Sequence, residues 1–108
     1  MKTSTKSFTH ILPKELVFRL EAIKLIGSIV KAREYAVKHE LERIHVADET
    51  RRSVREQYNA YKNTWPVSGV ARFLIKNEIT LMMMATGGKN QINQLKQLIF
   101  KAKQYEKI

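Results

Sequence analysis

The chain of 108 residues contains no cysteine, which excludes disulfide staples, thiol nucleophiles and thiolate metal sites together. Proline and glycine are scarce, two and four in all, so the candidate interruptions are few: Pro13, Gly27, Pro66 and Gly87-Gly88. No stretch approaches the ~20 apolar residues of a membrane span. The opening MKTSTKSFTH carries charge with no apolar run behind it, so no secretory signal is expected and residence in the cytoplasm is. Internal repeats and low-complexity tracts are missing. Gly87-Gly88-Lys89 lacks the spacing of a phosphate loop, and His39-Glu40 is followed by Arg43 where a zinc-protease helix needs its second histidine. His39 and His45 stand six apart and share no helical face. Neither a metal nor any other cofactor is therefore expected.

Acids are scarce too, ten against twenty Lys and Arg, which leaves a formal net charge of +10. Such a balance calls for a polyanionic partner, with nucleic acid before an acidic membrane or an acidic protein. At 44% hydrophobic residues the chain has enough apolar material for one globular domain over residues 1–108.

The dominant stretch is residues 12–44, LPKELVFRLEAIKLIGSIVKAREYAVKHELERI. As one rod it carries Leu16, Leu20, Ile23, Val30, Val37, Leu41 and Ile44 at alternating four-three spacing, with Gly27 and Glu34 in the two remaining seam positions. As two helices it breaks at Gly27, with Ser28 capping the second. Glu34 argues against burying the seam whole, and Ser28 after Gly27 favours two helices. Residues 7–12, SFTHIL, alternate as a short strand would.

Residues 47–108 predict a helical module. One helix starts at Asp48 as N-cap and carries Val54, Tyr58, Tyr61 and Trp65 before Pro66 ends it. The next, GVARFLIKNEITLMMMATGG, has a wide apolar arc of Val70, Leu74, Ile75, Ile79, Leu81, Met82 and Ala85. Phe73, Met83 and Met84 fall outside the arc and are candidates for contact with a protein partner. The last, about 90–106, buries Ile92, Leu95, Leu98, Ile99, Ala102 and Tyr105. The expected fold is thus mainly α, with four to five helices and one short N-terminal strand as the only candidate for a sheet.

Three basic lines stand out. Arg51, Arg55, Tyr58 and Lys62 share a helical face at four-three-four spacing, with Arg52 beside it. Guanidinium groups neutralise phosphates, and an aromatic ring stacks on a sugar or an unstacked base. Asp48, Glu49 and Glu56 offset part of that charge. Lys24, Lys31 and Lys38 recur every seven residues, with Tyr35 between the last two. From Lys89 onward five lysines, Lys89, Lys96 and Lys103 among them, face a single glutamate. A separate pair, Arg33 and His39, resembles the arginine-to-histidine spacing of HEPN-type ribonucleases, a permissive pattern with surface residues as its ordinary reading.

SFTHILPKELVFRLEAI, the Gly27-Ser28 turn and REYAVKHELERI together resemble a ribbon-helix-helix DNA-binding domain. IKNEITLMMMATGGKNQINQLKQL is similar to the helical tail of MobC-type plasmid mobilisation proteins, which assist a relaxase at a transfer origin. The resemblance implies a homodimer whose paired strands enter the major groove of duplex DNA, with Ser7, Thr9 and Ile11 facing the bases. It further implies that Ser28 starts a helix whose N–H groups hold a phosphate and that Lys6 clamps the backbone nearby. The expected function is a non-enzymatic, dimeric DNA-binding accessory or regulatory factor of a mobile element. The alternative is a small all-helical basic subunit or adaptor of a larger ribonucleoprotein, phage or plasmid complex, with RNA as ligand.

Overall fold

Pro13 opens the first helix from extended backbone (φ −77°, ψ −179°), and its carbonyl accepts the Leu16 and Val17 N–H groups at 3.0 and 3.3 Å. The computed structural model describes residues 13–41 and 46–106. Over these the order is α1 (Lys14–His39), α2 (Asp48–Tyr61), α3 (Val67–Lys76), α4 (Glu78–Met84) and α5 (Gly88–Glu106). The fold is mainly α, with no strand among the described residues. The predicted strand over residues 7–12 lies outside them.

Helix α1 runs through Gly27 and Ser28 without interruption, which corrects the expected break. Glycine inside a helix costs only about 1 kcal/mol relative to alanine, and here a neighbour fills the space it leaves. A Cβ at position 27 would overlap the Tyr58 hydroxyl and lie 2.9 Å from its ring carbon Cζ. The helix ends instead at Glu40, in the left-handed region at φ 50°. Its N–H reaches the carbonyls of Ala36 and Val37, and Leu41 N–H reaches Ala36 at 3.0 Å. Lys38 and His39 in the last turn suit the negative end of the helix dipole.

The buried face of α1 is also not the four-three seam. Phe18, Ala22, Leu25, Ile26, Ile29, Val30 and Arg33 are buried, whereas Leu20 and Leu41 are more than half exposed. A straight helix turns at 3.6 residues, so a seam counted at 3.5 drifts off the core over this length.

The helix predicted over the third segment is two. At Asn77 (φ −107°, ψ 21°) the side-chain amide and the backbone N–H both donate to the Phe73 carbonyl, each at 3.0 Å. This doubled capping ends α3, and α4 restarts with a different face inward. Phe73 and Met84 are buried, 5% and 0% exposed, so neither is available to a protein partner; only Met83 of that trio is exposed. Ile79, expected inside, is 73% exposed.

One continuous core joins all five helices, with Phe18, Ile26 and Ile29 of α1 against Val54, Val70, Leu74, Leu81, Met84 and Leu95. Full burial of each such side chain contributes roughly 1.5–3 kcal/mol. α5 packs most extensively on α3 and also lies along α1. Its sense is antiparallel to α1: Gln91 and Gln94 lie near Leu25 and Ser28, and Tyr105 stacks on Phe18 at 4.8 Å between centroids. The α5 stripe of Leu95, Leu98, Ile99 and Ala102 is buried as its spacing predicts.

Candidate nucleic-acid interface

α2 also runs antiparallel to α1. Arg51 and Arg55 of its first turns meet Glu34, Tyr58 meets Gly27, and Arg19 Nε donates to the Trp65 carbonyl beyond its end. Where Gly27 admits the Tyr58 ring, a cleft of about 620 Å³ opens between the two helices. Lys24, Ser28 and Lys31 form one wall, and Arg55, Tyr58 and Lys62 stand on the other. Among the described residues four cations line the cleft with a single carboxylate, Glu34, so they give it a net charge of three positive units. Lys62 Nζ lies 5.3 Å from the centre of the Tyr58 ring, a cation–π distance that holds the ammonium over the aromatic face. Burial pushes the Tyr58 hydroxyl up from its ordinary pKa of 10.0, so the phenol stays neutral and adds no negative charge to the cleft at neutral pH.

Beneath the cleft lies an ion-pair network. Arg51 is only 5% exposed; its Nη1 donates to Glu34 Oε2 and its Nη2 to Asp48 Oδ1. Arg55 Nη1 donates to Glu34 Oε1 at 3.1 Å, and Arg52 Nη2 to Asp48 Oδ2. Burial works against the charged Arg51 guanidinium, yet the hydrogen bonds from it to Glu34 and Asp48 outweigh that and raise its pKa from the ordinary value. Arg51 Nε is buried and finds no acceptor among the described residues. Glu34, anomalous in an apolar seam, is thus the acceptor on which two arginines of α2 converge.

Asp48 is held below its ordinary pKa of 3.8, first by the hydrogen bond from Arg51 and then by that from Arg52. A depressed folded pKa contributes stability that is full above the unfolded value and is lost as the pH falls through the folded one. Acid titration of unfolding should therefore show stability starting to fall as the pH drops below 3.8, and less steeply in Asp48→Asn. Equal slopes in the two proteins would remove this assignment.

The expected site residues separate into groups. Arg55, Tyr58 and Lys62 line the cleft. Ser28 lines it as well, but from the middle of α1, so it starts no helix and offers no free N–H groups to a phosphate. Arg51 is turned inward to its carboxylates and presents nothing to a ligand, which corrects its expected role; Arg52 is exposed and engaged by Asp48. Lys89, Lys96 and Lys103 are exposed on α5, outside the cleft. Lys6, Ser7, Thr9 and Ile11 lie outside the described residues. Arg33 is buried, donating from Nε to the Met84 carbonyl at 3.0 Å and from Nη2 to the Met83 carbonyl at 2.9 Å, whereas His39 is exposed beside Tyr35. The two do not form a common site.

Lys24 and Lys31, singled out in the sequence only as a second basic line, and Asn59, which carried no signal, belong to the cleft as well. The seven-residue recurrence of the lysines was their only signal. A further pattern emerges from exposure. Tyr35 is 58% exposed with Lys31 four residues before it and Lys38 three after; Phe100 is 68% exposed with Lys96 and Lys103 at the same offsets.

No group of three or more His, Asp or Glu suited to a metal occurs among the described residues. No helix among them is long and apolar enough to cross a membrane. No family model, curated protein or solved structure matches the chain.

Proposed function

We propose that this chain is a non-enzymatic nucleic-acid-binding protein that grips the sugar-phosphate backbone in the α1/α2 cleft. One observation carries the reading: the antiparallel packing of α1 and α2 turns two separate basic lines into facing walls, with Lys24 and Lys31 opposite Arg55 and Lys62. The excess of twenty basic over ten acidic residues adds a long-range field of the same sign.

Four phosphate contacts on a duplex predict a log affinity falling against log salt with a slope of about −3.6, roughly a hundred-fold loss between ~50 and ~200 mM salt. The double reversal Lys24→Glu, Lys62→Glu should weaken binding at least about ten-fold at low salt and alike for all sequences, because phosphate contacts carry no sequence information. Electrophoretic titration against duplex DNA, single-stranded DNA and RNA at two salt concentrations measures both effects. Affinity indifferent to salt, or to the double reversal, would exclude the cleft.

As a ribbon-helix-helix dimer, an accessory or regulatory factor of a mobile element on duplex DNA needs a ribbon from residues 7–12 and a helix starting at Ser28. The unbroken α1 removes the second of those supports. It favours the other reading, an all-helical basic subunit or adaptor of a larger ribonucleoprotein, phage or plasmid complex. Preference for RNA or single strands over duplex in the same titration supports that reading.

A further inference from the structure

Tyr35 is an aromatic side chain left largely in the open. It contributes nothing to the core, is 58% exposed, and stands on α1 one turn beyond Lys31, which lines the cleft. His39, one turn further, packs against it with ring centres 4.2 Å apart and planes tilted by 39°. That contact covers part of the ring and restrains its orientation, and more than half of the side chain remains accessible. Lys31 and Lys38 lie four residues before and three after Tyr35, so both ammonium groups project from the same side of the helix.

We propose that Tyr35 is a stacking platform for an unpaired nucleobase, at the end of the α1/α2 cleft. The inference rests on the cleft reading and adds to it a ligand class, single-stranded nucleic acid. A backbone held by Lys24 and Lys31 continues along α1 towards Lys38, and a base turned off that path meets the Tyr35 ring. Duplex bases are stacked on one another and have no free face for it, whereas a single strand exposes a π-face at every base. Lys31 serves both parts, as a wall of the cleft and as a flank of the platform. The same cation–aromatic–cation offsets recur at Lys96, Phe100 and Lys103 on α5, on an equally exposed ring. Charge complementarity on both sides of each ring favours a polyanion carrying planar groups over an apolar protein surface.

The full chain and its Tyr35→Phe, Tyr35→Leu and Tyr35→Ala variants are titrated at about 50 mM salt with an oligothymidylate of about ten nucleotides and a blunt duplex. One thymidine is replaced by 2-aminopurine, whose fluorescence is quenched by stacking. Tyr35→Phe should keep both the quenching and the single-strand Kd. Tyr35→Leu and Tyr35→Ala should lose the quenching and raise that Kd about ten-fold, with the duplex Kd changed less than about two-fold. Leucine keeps the helix propensity, so an effect shared by both variants is not a loss of helix. If the leucine variant weakens duplex and single strand alike, or changes neither, Tyr35 is not a base platform. Should the unaltered chain bind neither ligand, the cleft reading fails as well; binding of both with no effect at Tyr35 overturns this inference alone.

Discussion

Arg33→Met should lower the stability of the fold by about 3 kcal/mol, which for a domain of this size corresponds to a fall in Tm of about 15 °C. The reason lies in α4, a helix of seven residues, too short to persist without support from its surroundings. Its last carbonyls have no partner within the helix, and the dipole concentrates negative charge there. Arg33, 2% exposed, donates Nε to Met84 and Nη2 to Met83 from the middle of the core-facing side of α1. Each is a charge-assisted bond, of about 1.5–3 kcal/mol. Methionine matches much of the volume but donates nothing, so the loss reports the bonds rather than a cavity. Denaturant unfolding should show the shift in midpoint, and hydrogen exchange should show α4 opening before the rest. A Tm within about 3 °C of the parent would mean that the two carbonyls are satisfied in another way.

Glu34→Gln should move stability and binding in opposite directions. Its carboxylate receives Arg51 Nη1 on one oxygen and Arg55 Nη1 on the other. Removing one partner of a buried pair costs about 3–5 kcal/mol in the worst case. Here Asp48 remains on Arg51 and Glu34 is about a quarter exposed, so screening brings the expected loss to about 1–2 kcal/mol. The same change takes Glu34's carboxylate charge out of the cleft and leaves Arg55 with Glu56, 4.0 Å away, as its ion-pair partner among the described residues, raising the net charge of the cleft from three to four. Nucleic-acid affinity at low salt should rise several-fold, and the salt slope should steepen by about 0.9 on duplex. Melting curves and a salt titration on the same preparation test both. A weaker binder would mean that Glu34 orients Arg55 for the ligand rather than competing with it.

Much of the helical layout was readable from local chemistry. Pro66 and Gly87-Gly88 mark real boundaries, and the stripe Leu95–Leu98–Ile99–Ala102 is buried as spaced, because each signal depends only on neighbours within a turn or two. Asp48 marks the start of α2 but is not its N-cap: Ala47 holds that position, and the Asp48 carboxylate turns to Arg51 and Arg52 instead. Gly27 misled for the converse reason: whether a helical glycine is a hinge or a contact point depends on a tyrosine thirty-one residues away. Asn77 gave no sign among glycines and prolines, since the break there is made by a side-chain amide returning to the Phe73 carbonyl. Met84, outside the apolar arc of an uninterrupted helix, is then buried, while Met83 stays exposed. As for the cleft, each wall was legible as a line of cations, but their meeting required the sense in which α2 packs on α1. The same packing hid the fate of Arg51, which in sequence looks as available as Arg55.

Gly27 has a consequence for how the shape of the cleft and the placing of its charge are tied together. The two walls approach to the distance a bare Cα allows, and the Tyr58 ring occupies the place of the missing side chain. The cleft's width is thus governed by one methyl group's worth of space, at a position bearing no charge and lying below the cationic rims. Because Lys62 Nζ lies over that same ring, a side chain at residue 27 would displace both the Tyr58 wall and the cation resting on it.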